Sequence, residues 1–171
     1  GCPVKFVGTA TSGFDHIDRE YLDERGIAFA YAPGSNANSV VEYVLAAIAA
    51  VGDKLEQLLA GGVVGIVGYG CIGKAMAARL AALGIRYRIY DPWLEQNSIP
   101  DAARLDAVLD CDVVTLHPQL IRQQPWPSYH LLGTAQLQRL RPDALLINAS
   151  RGSVVDNAAL LEQIDSGQGL H

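Results

Sequence analysis

Short runs of β-branched and other apolar residues alternate along this chain with longer stretches in which apolar positions recur every three to four residues. That alternation predicts strands separated by helices, the mark of an α/β protein with a parallel sheet. Residues 4–7 and 27–30 read as short strands, joined through a helix that Asp18 caps and Gly26 ends. Val41, Val44, Leu45 and Ile48 fall at helical spacing within residues 38–50. Two glycine breaks follow, Gly52-Asp53 and Gly61-Gly62, and the boundary between two units is expected inside them. The second unit is more regular. Strands are predicted over 63–67, 85–90, 112–116 and 144–148, and helices over 72–83, 101–109, 134–140 and from Asp156 to about 164. Thr134 and Asp156 are the residue types that cap helix starts. Residues 118–129 contain Pro125-Trp126-Pro127 and are expected to be irregular.

A length of 171 residues is room for one ordinary domain, or for one and part of another. Half of the residues are hydrophobic and 18% are charged, so the chain can bury a core. Thirteen Lys and Arg stand against 18 Asp and Glu, and a net charge of −5 argues against a nucleic-acid or anionic-membrane binder. The longest apolar stretch, 40–51, is short of a bilayer span and carries Glu42, and the first residues lack the pattern of a signal peptide. Cys2, Cys71 and Cys111 show no CxxC spacing, so neither a disulfide framework nor a metal site is suggested. A soluble protein of the reducing cytoplasm is expected.

The candidate chemistry begins at Gly68-Tyr69-Gly70-Cys71-Ile72-Gly73, which fits GxGxxG between a predicted buried strand and a predicted helix. In that setting Gly68 permits a tight turn, Gly70 lets the backbone approach a pyrophosphate, and Gly73 lets the helix pack close to the strand. The N–H groups at the helix start then bind phosphate. Asp91 follows 18 positions after Gly73, at the end of the next strand, where a carboxylate accepts hydrogen bonds from ribose hydroxyls. It would repel a 2′-phosphate, and Pro92-Trp93-Leu94-Glu95 offers no arginine to bind one, so NAD is favoured over NADP.

Together, Asp15-His16-Ile17-Asp18, residues 36–43, the glycine turn, Asp91 and the stretch 148–156 make the chain resemble the D-isomer-specific 2-hydroxyacid dehydrogenases. The resemblance implies an incomplete Rossmann-type doubly wound parallel sheet over 60–171. Before it, over 1–52, would come the C-terminal part of a flavodoxin-like substrate domain with its connecting helix. It implies an NAD-dependent oxidation of a small phosphorylated 2-hydroxy acid, with hydride passing from C2 to the nicotinamide. Arg151 matches the family arginine that holds the substrate carboxylate, and Thr11 aligns with a threonine that contacts substrate. Gly68, Gly70, Cys71, Ile72, Gly73, Asp91, His117, Pro118 and Ser150 are the implied cofactor contacts. Pro118 departs from the family pattern, which has threonine after the histidine, so a hydroxyl contact is absent there. His16, beside a helix cap, and His130 read as structural. The family's catalytic Glu and His are expected beyond Gly169-Leu170-His171, so the segment alone is expected not to turn over, and the whole protein to be a homodimer. Another D-2-hydroxy acid as substrate, or a non-catalytic NAD-sensing role, stays open at this level.

Overall fold

The structure, a computed structural model, describes residues 3–166. Cys2 and His171 therefore lie outside the described residues. Among the described residues, six strands and seven α-helices follow one another in the order β1 (Phe6–Thr9), α1 (Arg19–Glu24), β2 (Ala28–Tyr31), α2 (Ala37–Ala50), α3 (Lys54–Leu59), β3 (Val63–Val67), α4 (Cys71–Ala82), β4 (Arg86–Tyr90), α5 (Leu105–Leu109), β5 (Val113–Leu116), α6 (Thr134–Leu137), β6 (Leu145–Asn148) and α7 (Asn157–Asp165). All strand pairs are parallel. β1 and β2 form one small sheet, and the other four strands form a second in the order β4-β3-β5-β6.

That order reverses between β3 and β5, because the chain runs from β3 outward to β4 and then crosses back. A crevice opens at such a reversal beyond the carboxyl ends of the two strands, and open α/β sheets bind ligands there. The residues that emerge at these ends are Gly68 after β3 and His117 after β5, the latter held by its N–H to the Val67 carbonyl at 2.8 Å.

Apolar residues cover both faces of the larger sheet. Val64, Ile66, Ile89, Val113 and Ile147 pack with α2 (Val41, Val44, Ile48) and α4 (Met76, Ala77, Leu80). Val67, Val114 and Leu116 pack on the other face with Val108 and Leu109 of α5, Leu137 of α6 and Ala159 of α7. Burial on both faces explains why these strands read as continuous apolar runs rather than as alternating ones.

The expected elements are present, several with shifted bounds. Asp18 caps α1 by accepting the Tyr21 N–H at 2.9 Å, and Asp156 caps α7 by accepting those of Ala158 and Ala159 at 3.0 and 3.3 Å. Replacing Asp156 with alanine leaves those donors unpaired and lowers stability by about 1 kcal/mol, measured by urea denaturation. The first strand is displaced from 4–7 to Phe6–Thr9, the register in which it pairs with β2. The helix expected over 101–109 forms only at Leu105–Leu109, because Asp101 and Ala103 instead bond to the backbone of Ile89 beside β4. Thr134 is the first residue of α6 and Gly133 its cap, and the helix ends at Leu137. The glycine-flanked break holds an unforeseen helix, α3, anchored by Lys54. That lysine is 6% exposed, and its ammonium donates to the Asp143 carbonyl and to Gln57 Oε1. A buried ammonium needs such acceptors. Residues 117–133 carry no helix or strand apart from a single bridge of Leu132 to Val155, which agrees with the proline-rich reading. Among the described residues no helix is long and apolar enough to cross a membrane.

Candidate functional site

The crevice at the strand reversal is a cleft of about 740 Å³. Gly68, Gly70, Cys71, Ile72, Asp91, His117, Pro118, Ser150 and Arg151 line it, from stretches scattered over more than 80 positions of sequence. Of the implied site residues, Gly73 and Thr11 are outside the lining.

The three glycines meet three different needs. Gly68 has φ +92°, a conformation that costs a side chain about 1–2 kcal/mol. A Cβ there would also press on the backbone of His117 and Pro118, at 2.8–2.9 Å. Gly73 lies behind the cleft, where a Cβ would overlap the Gly68 carbonyl oxygen, so a glycine is what allows α4 to start against the turn. A Cβ on Gly70 would meet nothing within 4 Å, so no packing within the described chain requires a glycine there. The space in front of Gly70 belongs to the cleft, and α4 starts there without a side-chain cap. The N–H groups of Cys71, Ile72 and Gly73 have no partner among the described residues, as befits a helix start that takes an anion. The residues present thus fit the pyrophosphate of a dinucleotide.

Asp91 joins this turn to the end of β4. Its Oδ2 accepts the Tyr69 N–H at 2.9 Å and its Oδ1 the Trp93 N–H at 3.0 Å. Each carboxylate oxygen keeps a second lone pair, so the group can still accept from a ribose diol. The nearby wall is aromatic: the Trp93 indole N–H donates to the Trp126 carbonyl at 3.1 Å, which ties the loop after β4 to the proline-rich loop. Lys74 lies over the Tyr69 ring at 5.7 Å.

His117 is 8% exposed, and its Nε2 lies 3.0 Å from the Thr115 hydroxyl. Its Nδ1 is buried without a partner. Burial pushes the imidazole pKa down to about 4, which keeps the ring neutral at physiological pH and makes it a weak proton acceptor there. Its chemistry is therefore that of a neutral hydrogen-bonding group on the cleft wall.

After β6, Ser150 bonds to the Asn148 side chain through both its N–H (3.1 Å) and its hydroxyl (2.8 Å), shaping the turn that carries Arg151. Arg151 is gripped by Asp15, with 2.6 Å between Nη2 and Oδ1. Thr11 is turned to local work: its hydroxyl donates to the Gly13 carbonyl at 2.6 Å and lies 2.7 Å from the Thr9 hydroxyl. Its neighbour Ser12 lines the cleft instead and donates to Asn36 Oδ1 at 2.6 Å. His130 is outside the lining, stacked on Tyr129 and 3.5 Å from the Asp156 carboxylate. Asp15, Ser12, Asn36, Trp93 and Trp126 were not singled out from sequence. Asp15, Asn36, Trp93 and Trp126 stand in stretches named above, but their roles depend on distant partners, that of Asp15 lying 136 positions away. Cys71 and Cys111 are free thiols, Cys111 pushed up to about 11 by burial. Among the described residues no group of three His, Cys, Asp or Glu side chains could hold a metal ion.

The glycine turn after β3 and the acid after β4 on one cleft are the features of a dinucleotide-binding domain. Residues 46–170 match the family model for the NAD binding domain of the D-isomer specific 2-hydroxyacid dehydrogenases, and the chain belongs to that family. It is 48% identical over 162 residues to an erythronate-4-phosphate dehydrogenase of Cellvibrio japonicus, covering 95% of this chain and 42% of that protein. It is 44% identical over 172 residues to the enzyme of the same name from Cronobacter sakazakii, covering 99% and 46%. Among solved structures it resembles a D-lactate dehydrogenase of Treponema pallidum, with a TM-score of 0.80 and 27% identity over 98% of this chain and 56% of that one. A D-lactate dehydrogenase of Aquifex aeolicus, complexed with NAD and lactic acid, gives a TM-score of 0.78 and 27% identity over 97% and 56%. The chain spans less than half the length of these curated relatives.

Proposed function

We propose that the chain is the cofactor-binding part, with an adjoining piece of the substrate domain, of an NAD-dependent enzyme that oxidises 4-phosphoerythronate at its 2-hydroxyl. In this reading residues 1–52 contribute to the substrate domain and 60–171 to the NAD-binding domain. The observation that carries it is one cleft lined by Gly68, Gly70, Asp91 and Arg151 together. Bound NAD would supply the acceptor for the hydride on C2. The residues of this chain bind and orient. The open backbone at Gly70 and the start of α4 hold the pyrophosphate, and Asp91 holds the adenosine ribose. Arg151 takes the substrate carboxylate, because a planar guanidinium offers it two parallel hydrogen bonds. Ser150 and the neutral His117 complete the lining. The choice of 4-phosphoerythronate over other D-2-hydroxy acids rests on the likeness to enzymes named for it. A cytoplasmic homodimer as the whole protein's form rests on the family resemblance alone.

The test is to give the whole protein NAD with 4-phosphoerythronate or with 3-phosphoglycerate and follow NADH absorbance at 340 nm (roughly the reduced nicotinamide band). Faster turnover of 4-phosphoerythronate supports the reading, and no turnover of it overturns the substrate assignment. For the cofactor, Asp91→Ala weakens NADH binding about tenfold and improves NADPH binding, because a charged acceptor for the ribose hydroxyls is lost and the repulsion of a 2′-phosphate is lifted. Calorimetric titration with both nucleotides measures the change.

A further inference from the structure

Arg151 is 40% exposed on its side chain, and an arginine so placed would sample many rotamers unless something held it. Asp15 does so. Its two carboxylate oxygens each accept from Arg151 Nε at 3.1 Å, and Oδ1 also accepts from Nη2 at 2.6 Å. Arg151 Nη1 donates to the Ser150 carbonyl at 3.2 Å. The edge of the guanidinium formed by Nε and Nη2 is therefore occupied. Of its five N–H bonds, one on each terminal nitrogen is left without a partner among the described residues. Such a pair is what a second carboxylate needs for two parallel hydrogen bonds.

The loop that carries Asp15 is shaped for this contact. A Cβ on Gly13 would overlap Arg151 Nη2, so the glycine makes room for the guanidinium. Asp15 and Arg151 both line the cleft. The hydrogen bond between them is also the largest influence on each group, holding the Asp15 carboxyl below its usual range and the Arg151 guanidinium above its own.

We propose that Asp15 is a positioning residue, which grips one edge of Arg151 so that the remaining N–H pair is presented to the carboxylate of the 2-hydroxy acid. The inference rests on the reading of Arg151 as the carboxylate-binding group. The alternative, that Asp15 takes the place of that carboxylate and masks the arginine, makes the opposite forecast for its removal.

Oxalate serves as the probe carboxylate, and its binding is followed through the 15N–Hε resonance of Arg151, with NADH affinity measured separately by fluorescence. In the unaltered chain the resonance shifts saturably with oxalate. Asp15→Ala weakens oxalate binding about tenfold, and Asp15→Asn, which keeps an acceptor for the guanidinium, restores it to within about threefold. NADH affinity is the same in all three. Oxalate binding to Asp15→Ala as tight as to the unaltered chain, or tighter, overturns the proposal and leaves the role of Arg151 standing. Failure of Asp15→Asn to rescue overturns it too, as does a parallel loss of NADH affinity, since a general disturbance of the cleft would then account for the change. If the Arg151 resonance of the unaltered chain ignores oxalate, the carboxylate-binding role itself falls, and the proposal with it.

Discussion

Replacing Gly70 with valine lowers NADH affinity about 100-fold while the thermal midpoint stays where it was. The two observables separate because of where the new side chain would go. A Cβ on Gly70 meets no protein atom within 4 Å, so the folded chain has room for that carbon. The room is the part of the cleft where the turn and the start of α4 face a phosphate, and a branched side chain there holds the anion away from the backbone. Losing one or two charge-assisted hydrogen bonds, at roughly 1.5–3 kcal/mol each, accounts for two powers of ten. Gly73→Val is the control with the opposite balance. Its Cβ would overlap the Gly68 carbonyl oxygen, so α4 must move away from the turn and stability falls by about 3 kcal/mol. Calorimetric melting and fluorescence titration of both variants make the comparison. Full NADH affinity in Gly70→Val would sink the assignment of the phosphate to this turn.

The second large effect is on stability against pH. One side chain, His117, removes about 3 kcal/mol of stability between pH 7 and pH 4. In the unfolded chain its pKa is the ordinary 6.5, and in the folded chain burial pushes it down to about 4. Between those values the unfolded state takes up a proton that the folded state refuses, so stability rises with pH through that window. The contribution is fully present above pH 6.5 and is lost as pH falls toward 4, and a displacement of this size corresponds to about 3 kcal/mol. Asp15 also titrates in acid, but its lowered carboxyl is common to the unaltered chain and to a His117→Asn variant. The difference between the two proteins in urea denaturation at pH 7 and pH 4.5 isolates the imidazole. The variant loses the steeper part of the acid slope, and identical slopes would show that His117 is accessible to protons in the folded state.

Much of the site was legible from sequence because its parts are local. The turn from Gly68 to Gly73 needs small residues at fixed offsets between a strand and a helix, and β3 begins and ends at 63 and 67 as its apolar run requires. Asp18 and Asp156 announce their helices through side chains that reach only two or three residues ahead. Where sequence misplaced an element, a distant partner had intervened. The start of the helix expected at 101 is drawn to the backbone of Ile89. α3 forms between glycines because Leu58 joins the core and Lys54 finds the Asp143 carbonyl 89 positions later.

The sequence by itself pointed to the candidate chemistry: a glycine turn between a strand and a helix, an acid after the next strand, and an arginine in a stretch that resembles the family's. The turn and the acid are written in residue type and spacing, whereas the arginine is marked by the family resemblance of the stretch around it. The tertiary structure alone decided what faces the cleft. It turned Thr11 to its own loop and Ser12 to the lining, left Nδ1 of a buried His117 unpaired, and set Asp15 against Arg151. Those outcomes depend on which strand lies beside which and on how closely two loops approach. No local periodicity encodes a contact between residues 136 positions apart, because only the packing of the sheet and its helices brings them within 2.6 Å.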